Sequence, residues 1–95
     1  MPLFVVIAAD RPGGLELRTA ERPAHRAYLD SQAAILKIAG PLLNDVGEMA
    51  GSLFIVDVAD KAAAEAFSAG DPFTKIGLFE RVEIKPWRLT VGGFA

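Results

Sequence analysis

Residues 3–9 read Leu-Phe-Val-Val-Ile-Ala-Ala, and residues 51–58 read Gly-Ser-Leu-Phe-Ile-Val-Asp-Val. Both stretches are rich in β-branched and aromatic residues, which favour strands, and neither shows the strict alternation of a half-exposed strand. Because a strand that is apolar on both sides must be covered on both sides, both are predicted to lie at the centre of a sheet. This pair of central strands decides the fold, and the other elements are placed around it.

The segment between the two central strands is predicted to hold one long helix and one short strand. Turn-forming residues 10–14 end the first strand. Proline is tolerated in the first turn of a helix, so Arg22-Pro23 predicts a helix start, and helical apolar spacing continues to about Ala39. Gly40-Pro41 then ends the helix, and residues 41–44 are predicted to form a short strand.

A second helix and a last strand are predicted after the second central strand. Asp60 is a good N-cap for a helix over residues 61–69, and after residues 71–73 a single further helical turn is predicted through Ile76 and Gly77. Residues 79–87 alternate between apolar and polar side chains, so this strand is predicted to lie at a sheet edge. Residues 89–95 form an apolar tail that we expect to pack on a partner subunit.

The resulting order, β-α-β-β-α-β with the first and third strands central, predicts an α+β fold of the ferredoxin-like type. Two helices cover only one face of such a sheet. Hydrophobic residues make up 52% of the chain, which is more apolar material than a lone domain of this size can hide. A second copy is therefore predicted to cover the other sheet face, which makes the protein a homodimer.

Composition limits the classes of function that the chain can have. Its 95 residues allow one domain, over residues 1–95, and the formal net charge is −2. Without a basic stripe, nucleic acid is not an expected partner, and without cysteines there is neither a disulfide framework nor a thiolate metal site. The longest apolar run is far below the ~20 residues that span a bilayer, and no secretory signal is visible. These features predict a soluble cytoplasmic protein with no membrane association.

A set of short motifs resembles the YciI-like (YCII-related) family, in order and over nearly the whole chain. The first is the helix opening R-x-x-H-x-x-[YF]-L at residues 22–29. The others are G-P-L at 40–42, G-S at 51–52, D-P-[FY] at 71–73, G-L at 77–78 and V-x-I-x-P-W at 82–87. The resemblance implies a dimeric α/β-barrel assembly, related in fold to muconolactone isomerases and small monooxygenases. It also implies a pocket centred on His25 and Asp71, and a relative in this family is a dehydrochlorinase.

His25 is the only histidine, and it is the first candidate catalytic residue. Imidazole titrates nearest to neutral pH, so His25 suits a general base or acid; the structural alternative is a histidine satisfied by a backbone carbonyl or by solvent. Asp71 is predicted to orient the imidazole, although Asp before Pro is also a natural helix N-cap. Both roles are compatible if one carboxylate oxygen caps and the other faces His25. One histidine without cysteine lacks the ligands of a zinc site, so no metal is expected.

Three further residues are candidates for substrate binding. Ser52 can donate a hydrogen bond to a substrate oxygen, or it can be structural at a strand start; no G-x-S-x-G motif makes it a hydrolase nucleophile. Arg22 lies one turn before His25 and can hold an anionic group, or it can be an ordinary surface arginine. Phe73 is predicted to be a core residue or a pocket wall.

The sequence as a whole favours a small-molecule enzyme that needs neither a metal nor an organic cofactor. In this reading, His25 moves a proton on a carbonyl- or hydroxyl-bearing substrate while Asp71 orients it, as in isomerisation, elimination or dehydrochlorination. Two alternatives remain open at this point, a non-catalytic module that binds or senses a metabolite and an accessory subunit of a larger complex. An accessible pocket that holds both residues favours the enzyme, whereas a sealed His25 with a backbone partner favours the alternatives.

Overall fold

The first predicted strand lies inside a four-stranded antiparallel sheet in the computed structural model, which describes residues 2–94. The elements in chain order are β1 Leu3–Asp10, α1 Leu15–Ser31, β2 Leu36–Leu43, β3 Met49–Asp57, α2 Lys61–Gly70, α3 Pro72–Lys75 and β4 Phe79–Trp87. The sheet order is β2-β3-β1-β4, so β1 and β3 are central, as predicted, and β2 and β4 form the edges. This order confirms the ferredoxin-like α+β fold.

The two faces of the sheet differ in how much the rest of the chain covers them. Along β1, the buried Phe4, Val6 and Ala8 alternate with half-buried side chains at 3, 5 and 7. Val6 pairs with Phe54 of β3, and both belong to the main core cluster together with Phe67 of α2. The buried face of β1 therefore points toward the helices. The half-buried face is the one for which the sequence predicts a second copy.

The long helix and the second strand differ from the prediction, because α1 begins at Leu15 rather than Arg22 and ends at Ser31 rather than near Ala39. Gly14 precedes the helix, and the good helix formers that follow it extend the helix toward the N-terminus. Pro23 consequently lies inside the helix, where it costs one backbone hydrogen bond instead of marking a start.

Residues 36–39, for which the spacing predicts the end of that helix, belong to the edge strand β2, which begins at Leu36 instead of residue 41. Leu36 pairs with Val56, and the register shifts between Leu36 and Ile38. The apolar residues in this segment fit helical spacing and strand pairing equally well, so pairing with β3 decides the outcome. Pro41 has no N–H to donate and is tolerated because β2 is an edge strand.

The second half of the chain follows the prediction closely. The Asp60 side chain caps α2 by accepting a hydrogen bond from the Ala63 N–H at 2.9 Å. The single helical turn is α3, which lies earlier than predicted because Asp71 caps it and it ends at Lys75, before Ile76 and Gly77. The last strand, β4, has the predicted bounds. None of the helices within residues 2–94 is long and apolar enough to cross a membrane.

The tail after β4 has neither helix nor strand over residues 88–94. The ring of Phe94 lies 6.3 Å from the ring of Trp87, between centroids, so the tail contacts the end of β4 in its own chain. Ala95 lies outside the described residues. Contact between the tail and a partner subunit stays a prediction.

Candidate active site

A cleft of about 510 Å³ opens between α1 and residues 36–41 of β2, with β3 contributing to its wall. Four of the five candidates from the sequence line it: His25, Arg22, Ser52 and Phe73. Asp71 is 1% exposed and does not line the cleft, but it is hydrogen-bonded to His25. The fold thus brings together residues from α1, β3 and the start of α3.

The imidazole of His25 is held by the Asp71 carboxylate. His25 Nδ1 lies 2.8 Å from Asp71 Oδ1, although 46 positions separate the two residues in the sequence. A carboxylate only accepts hydrogen bonds, so Nδ1 carries the donated proton and Nε2 is left as the accepting nitrogen. Nε2 has no hydrogen-bond partner within residues 2–94. Because the ring lines the cleft, Nε2 is the atom that can take a proton from a bound molecule.

Asp71 owes its position to the junction between two helices, since it follows α2 directly and is the N-cap of α3. Its Oδ1 atom accepts hydrogen bonds from both His25 Nδ1 and the Phe73 backbone N–H, the latter at 2.9 Å. The sequence suggested one oxygen for each role, but a single oxygen performs both. Oδ2 is buried and has no hydrogen-bond partner within residues 2–94.

Aromatic rings fix the plane of the imidazole. Phe73, which is fully buried, stacks on His25 with ring centroids 3.9 Å apart and an angle of 10° between the planes. Phe54 of β3 meets the imidazole edge-on at 6.0 Å. The same short segment, residues 71–73, therefore supplies both the hydrogen bond and the stacking surface that orient His25.

Arg18 is a site residue that the sequence reasoning missed. It is 3% exposed, and its guanidinium binds both carboxylate oxygens of Asp10, at 2.7 and 2.9 Å. Its Nη2 also donates to Ser52 Oγ at 2.9 Å, and its Cζ lies 4.7 Å from the ring centroid of Phe73. Its spacing was the available signal, because Arg18 precedes His25 by seven residues, about two helical turns. The sequence places the helix start at Arg22, so Arg18 falls outside the predicted helix and its helical spacing from His25 is not apparent.

Exposed cations border the cleft. Arg22 is exposed and lines the cleft together with Arg26 and Lys37, while Asp30 is the acidic side chain among the lining residues. Arg22 and Arg26 form no ion pair within residues 2–94, whereas Lys37 lies 3.9 Å from Asp57. The cleft border is therefore electropositive, which suits a substrate with an anionic or electron-rich oxygen.

Tyr28 supports the segment that carries Asp71. Its hydroxyl donates to the Phe67 carbonyl of α2 at 2.7 Å, and its ring packs so close to Gly70 that a Cβ there would overlap the phenol. Burial raises the pKa of Tyr28, and the negative charge of Asp71 raises it further. Tyr28 therefore keeps its proton, and its hydrogen bond to α2, to a higher pH than a free tyrosine would.

Within residues 2–94, no three His, Cys, Asp or Glu side chains lie together in an arrangement that could hold a metal ion. The groups that the cleft offers are an imidazole, a serine hydroxyl, guanidinium and ammonium donors and the Asp30 carboxylate. Such groups bind oxygen atoms and transfer protons.

A sequence profile for the YCII-related domain matches residues 2–88. The chain belongs to the YCII-related family. Protein YciI of Escherichia coli is 35% identical over 94 residues, which cover 90% of this chain and 96% of the relative. An uncharacterized protein of Haemophilus influenzae is 31% identical over 93 residues, covering 90% of this chain and 95% of the relative. This family assignment agrees with the motifs at residues 22–29 and 71–73.

A solved structure also superposes well on this chain. It is the 5-chloro-2-hydroxyhydroquinone dehydrochlorinase TftG of Burkholderia phenoliruptrix AC1100, in complex with 2,5-dihydroxybenzoquinone. The two chains are 35% identical with a TM-score of 0.82, and the match covers 90% of this chain and 93% of TftG. TftG, which has this fold, thus binds a small ring with oxygen substituents.

Proposed function

We propose that this protein is a cofactor-independent enzyme that uses the His25–Asp71 pair to transfer a proton on a small, oxygen-bearing substrate. The observation that carries the proposal is the 2.8 Å contact between His25 Nδ1 and Asp71 Oδ1 beside an open cleft. His25 lines the cleft and its partner is a carboxylate and not a backbone carbonyl, while Asp71 itself lies outside the cleft. The access to His25 and its carboxylate partner favour catalysis over the two alternatives that the sequence left open.

The reaction class that fits these groups best is the elimination of HX from a conjugated ring. His25 Nε2 removes a proton from a hydroxyl group of the substrate and delivers it to the ring carbon that bears the halogen, so that the ring takes up its ketone form. Removal of a second hydroxyl proton by Nε2 then forms a new carbonyl, and the halide leaves with the electron pair of the carbon–halogen bond. The proton on Nε2 passes to water, so the sum is loss of HX without an external electron acceptor.

In this scheme Asp71 and Phe73 keep the imidazole in the tautomer and orientation that proton transfer requires. The carboxylate holds the proton on Nδ1, so that Nε2 is the basic nitrogen, and it stabilises the imidazolium that forms. The stacked Phe73 ring restricts rotation of the imidazole. The dehydrochlorination that TftG is named for belongs to the same reaction class, and this supports the proposal.

The direct test is incubation of the purified protein with 5-chloro-2-hydroxyhydroquinone in the absence of oxygen. We expect chloride release in a 1:1 ratio with a hydroxybenzoquinone product, because loss of HCl from this substrate leaves that quinone. Chloride is measured by ion chromatography and the quinone by its absorbance. A rate equal to that of the protein-free solution, for this compound and for the isomerisation of related hydroxylated rings, would contradict the proposal.

Asp71→Asn is expected to lower turnover more than it lowers stability. The asparagine oxygen can still accept from the Phe73 N–H and cap α3, but it cannot fix the imidazole proton on Nδ1 as a carboxylate does. We expect a turnover loss of about 10²-fold or more and a change in unfolding free energy near the ~1 kcal/mol typical of altered caps. Turnover and thermal melting are measured on the same preparation, and equal turnover in both proteins would remove Asp71 from the mechanism.

We also propose that the protein works as a cytoplasmic homodimer, joined through the sheet face that its helices leave half-buried. Leu3, Val5 and Ile7 lie on this face of β1, and interfaces of this kind bury more than about 2,000 Å² in total. Sedimentation velocity at micromolar concentration should therefore give a species of twice the 10.1 kDa chain mass. Deletion of residues 90–95 should weaken that dimer. A stable monomer would contradict the proposal.

A further inference from the structure

We propose that Asp10 and Arg18 orient the Ser52 hydroxyl as a hydrogen-bond donor to a substrate oxygen in the cleft that His25 lines. In this scheme Ser52 is a catalytic residue and Arg18 is a positioning residue that acts through it. The inference rests on the proposed function for the identity of the reacting site, and it names the second half of that site.

The direction of the Ser52 hydrogen bond follows from the chemistry of arginine. A guanidinium has only donors, so Ser52 Oγ must accept from Arg18 Nη2 at 2.9 Å. Arg18 is itself fixed by the two-point contact with Asp10, in which the side chains of both residues are 4% exposed. Three buried groups are therefore locked in one orientation, with Ser52 at the end of the chain of hydrogen bonds.

In this arrangement the Ser52 hydroxyl proton has no acceptor among the described residues. It cannot point at Arg18, and the hydroxyl donates to no acceptor within residues 2–94. Ser52 is 2% exposed and lines the cleft, so an acceptor has to come from a molecule bound there. A buried donor without an acceptor is costly, and a ligand oxygen would remove that cost. Because the hydroxyl oxygen accepts a hydrogen bond from a cation, the hydroxyl group is polarised and its O–H becomes a stronger hydrogen-bond donor.

The charge balance of this group fits a carbonyl or phenolic oxygen of a conjugated ring. Asp10 neutralises Arg18, so Ser52 offers a hydrogen-bond donor instead of a net charge. When His25 removes a proton from such a substrate, negative charge develops on the conjugated oxygen. A fixed donor aimed at that oxygen stabilises the transition state, and removing one such donor costs about 10²- to 10³-fold in rate.

The test uses 2,5-dihydroxybenzoquinone as the probe and measures its carbonyl stretching frequency by infrared difference spectroscopy. We expect a downshift on binding to the wild-type protein that is lost in Ser52→Ala. Ser68→Ala, which alters a buried serine of α2 that does not line the cleft, should keep the downshift. Arg18→Lys should reduce it, and should have no further effect in the Ser52→Ala background because Arg18 acts through Ser52.

If Arg18→Lys does not fold, Asp10→Asn loosens the same guanidinium and serves as the second variant. A bound probe with equal carbonyl frequencies in wild type and Ser52→Ala overturns the inference, as does failure of the wild-type protein to bind the probe. If the effects of Arg18→Lys and Ser52→Ala on the carbonyl frequency add in the double variant, Arg18 does not act through Ser52, and its positioning role is overturned. His25→Gln separates the two proposals, because the downshift should persist in that variant while turnover is lost. Full turnover in His25→Gln with an intact downshift would defeat the proposed function alone.

Discussion

Replacing His25 with Gln is expected to lower turnover about 10²- to 10⁴-fold while the protein stays folded, because general acid–base catalysis contributes that much. The glutamine amide can still donate to Asp71 and fill much of the same space, but it offers no basic nitrogen at neutral pH. The measurement is the initial rate of chloride release from 5-chloro-2-hydroxyhydroquinone, with circular dichroism as the check on folding.

The matched control for this substitution is Glu16→Gln, which alters an exposed residue of α1 that does not line the cleft. Its rate should equal that of the wild-type protein. A folded His25→Gln protein that retains more than about a tenth of wild-type turnover would show that the imidazole does not transfer the proton. Binding of 2,5-dihydroxybenzoquinone should change little in either variant, so the loss is expected in the rate and not in affinity.

The second large effect is expected at Gly51, which pairs with Ala9 of β1 and Leu42 of β2. A Cβ at this position would overlap the backbone carbonyl of Ala8, which cannot move without separating two central strands. We expect Gly51→Ala to cost about 1–3 kcal/mol of unfolding free energy, as overpacked cores do. In a chain of this size, each kcal/mol lowers the melting temperature by about 4–8 °C.

Gly40→Ala is the control, since an added Cβ at Gly40 on β2 has no atom within 4 Å. Its melting temperature should stay close to the wild-type value, because alanine suits an edge strand at least as well as glycine does. Equal melting temperatures for the two variants would mean that the strands can move apart at Gly51 without cost. Gly51 also precedes Ser52, so Gly51→Ala should displace that hydroxyl as well.

The sequence predicts the central and last strands well because each has a physical signature that no other element shares. Residues 3–9 are apolar without interruption, and this marked β1 as a central strand. Residues 79–87 alternate, and this gave β4 its bounds as an edge strand. The side chain of Asp60 supplied the N-cap of α2, which a short polar residue before a helical pattern signals reliably.

The misplaced start of α1 has one origin, the weight given to Pro23. Proline at a helix start and proline inside a helix look alike in a sequence, and only packing of the preceding turn on the sheet distinguishes them. Once α1 begins at Leu15, Arg18 joins His25 and Leu29 as the buried residues of the helix. The same error hid the network of Asp10, Arg18 and Ser52, which needs the tertiary structure to be seen.

The pairing of His25 and Asp71 could be anticipated only through the family motifs. Helical spacing places His25 on the sheet-facing side of α1, but nothing local shows that a residue 46 positions later reaches it. That contact depends on how α2 returns along the sheet and ends at Gly70, beside Tyr28. Spacing within the chain does not encode this path.

Asp71 Oδ1 accepts hydrogen bonds from both His25 and the Phe73 N–H, and this affects how the sequences of relatives should be interpreted. The atom that orients His25 also holds the first turn of α3, so a relative without the proposed activity would still need Asp71 to build that turn. Its presence in a homologous sequence is therefore weak evidence of activity. The imidazole of His25 has the Asp71 carboxylate as its hydrogen-bond partner, and no backbone group of residues 2–94 bonds to it. We therefore expect active and inactive relatives to differ first in the residue at the position of His25.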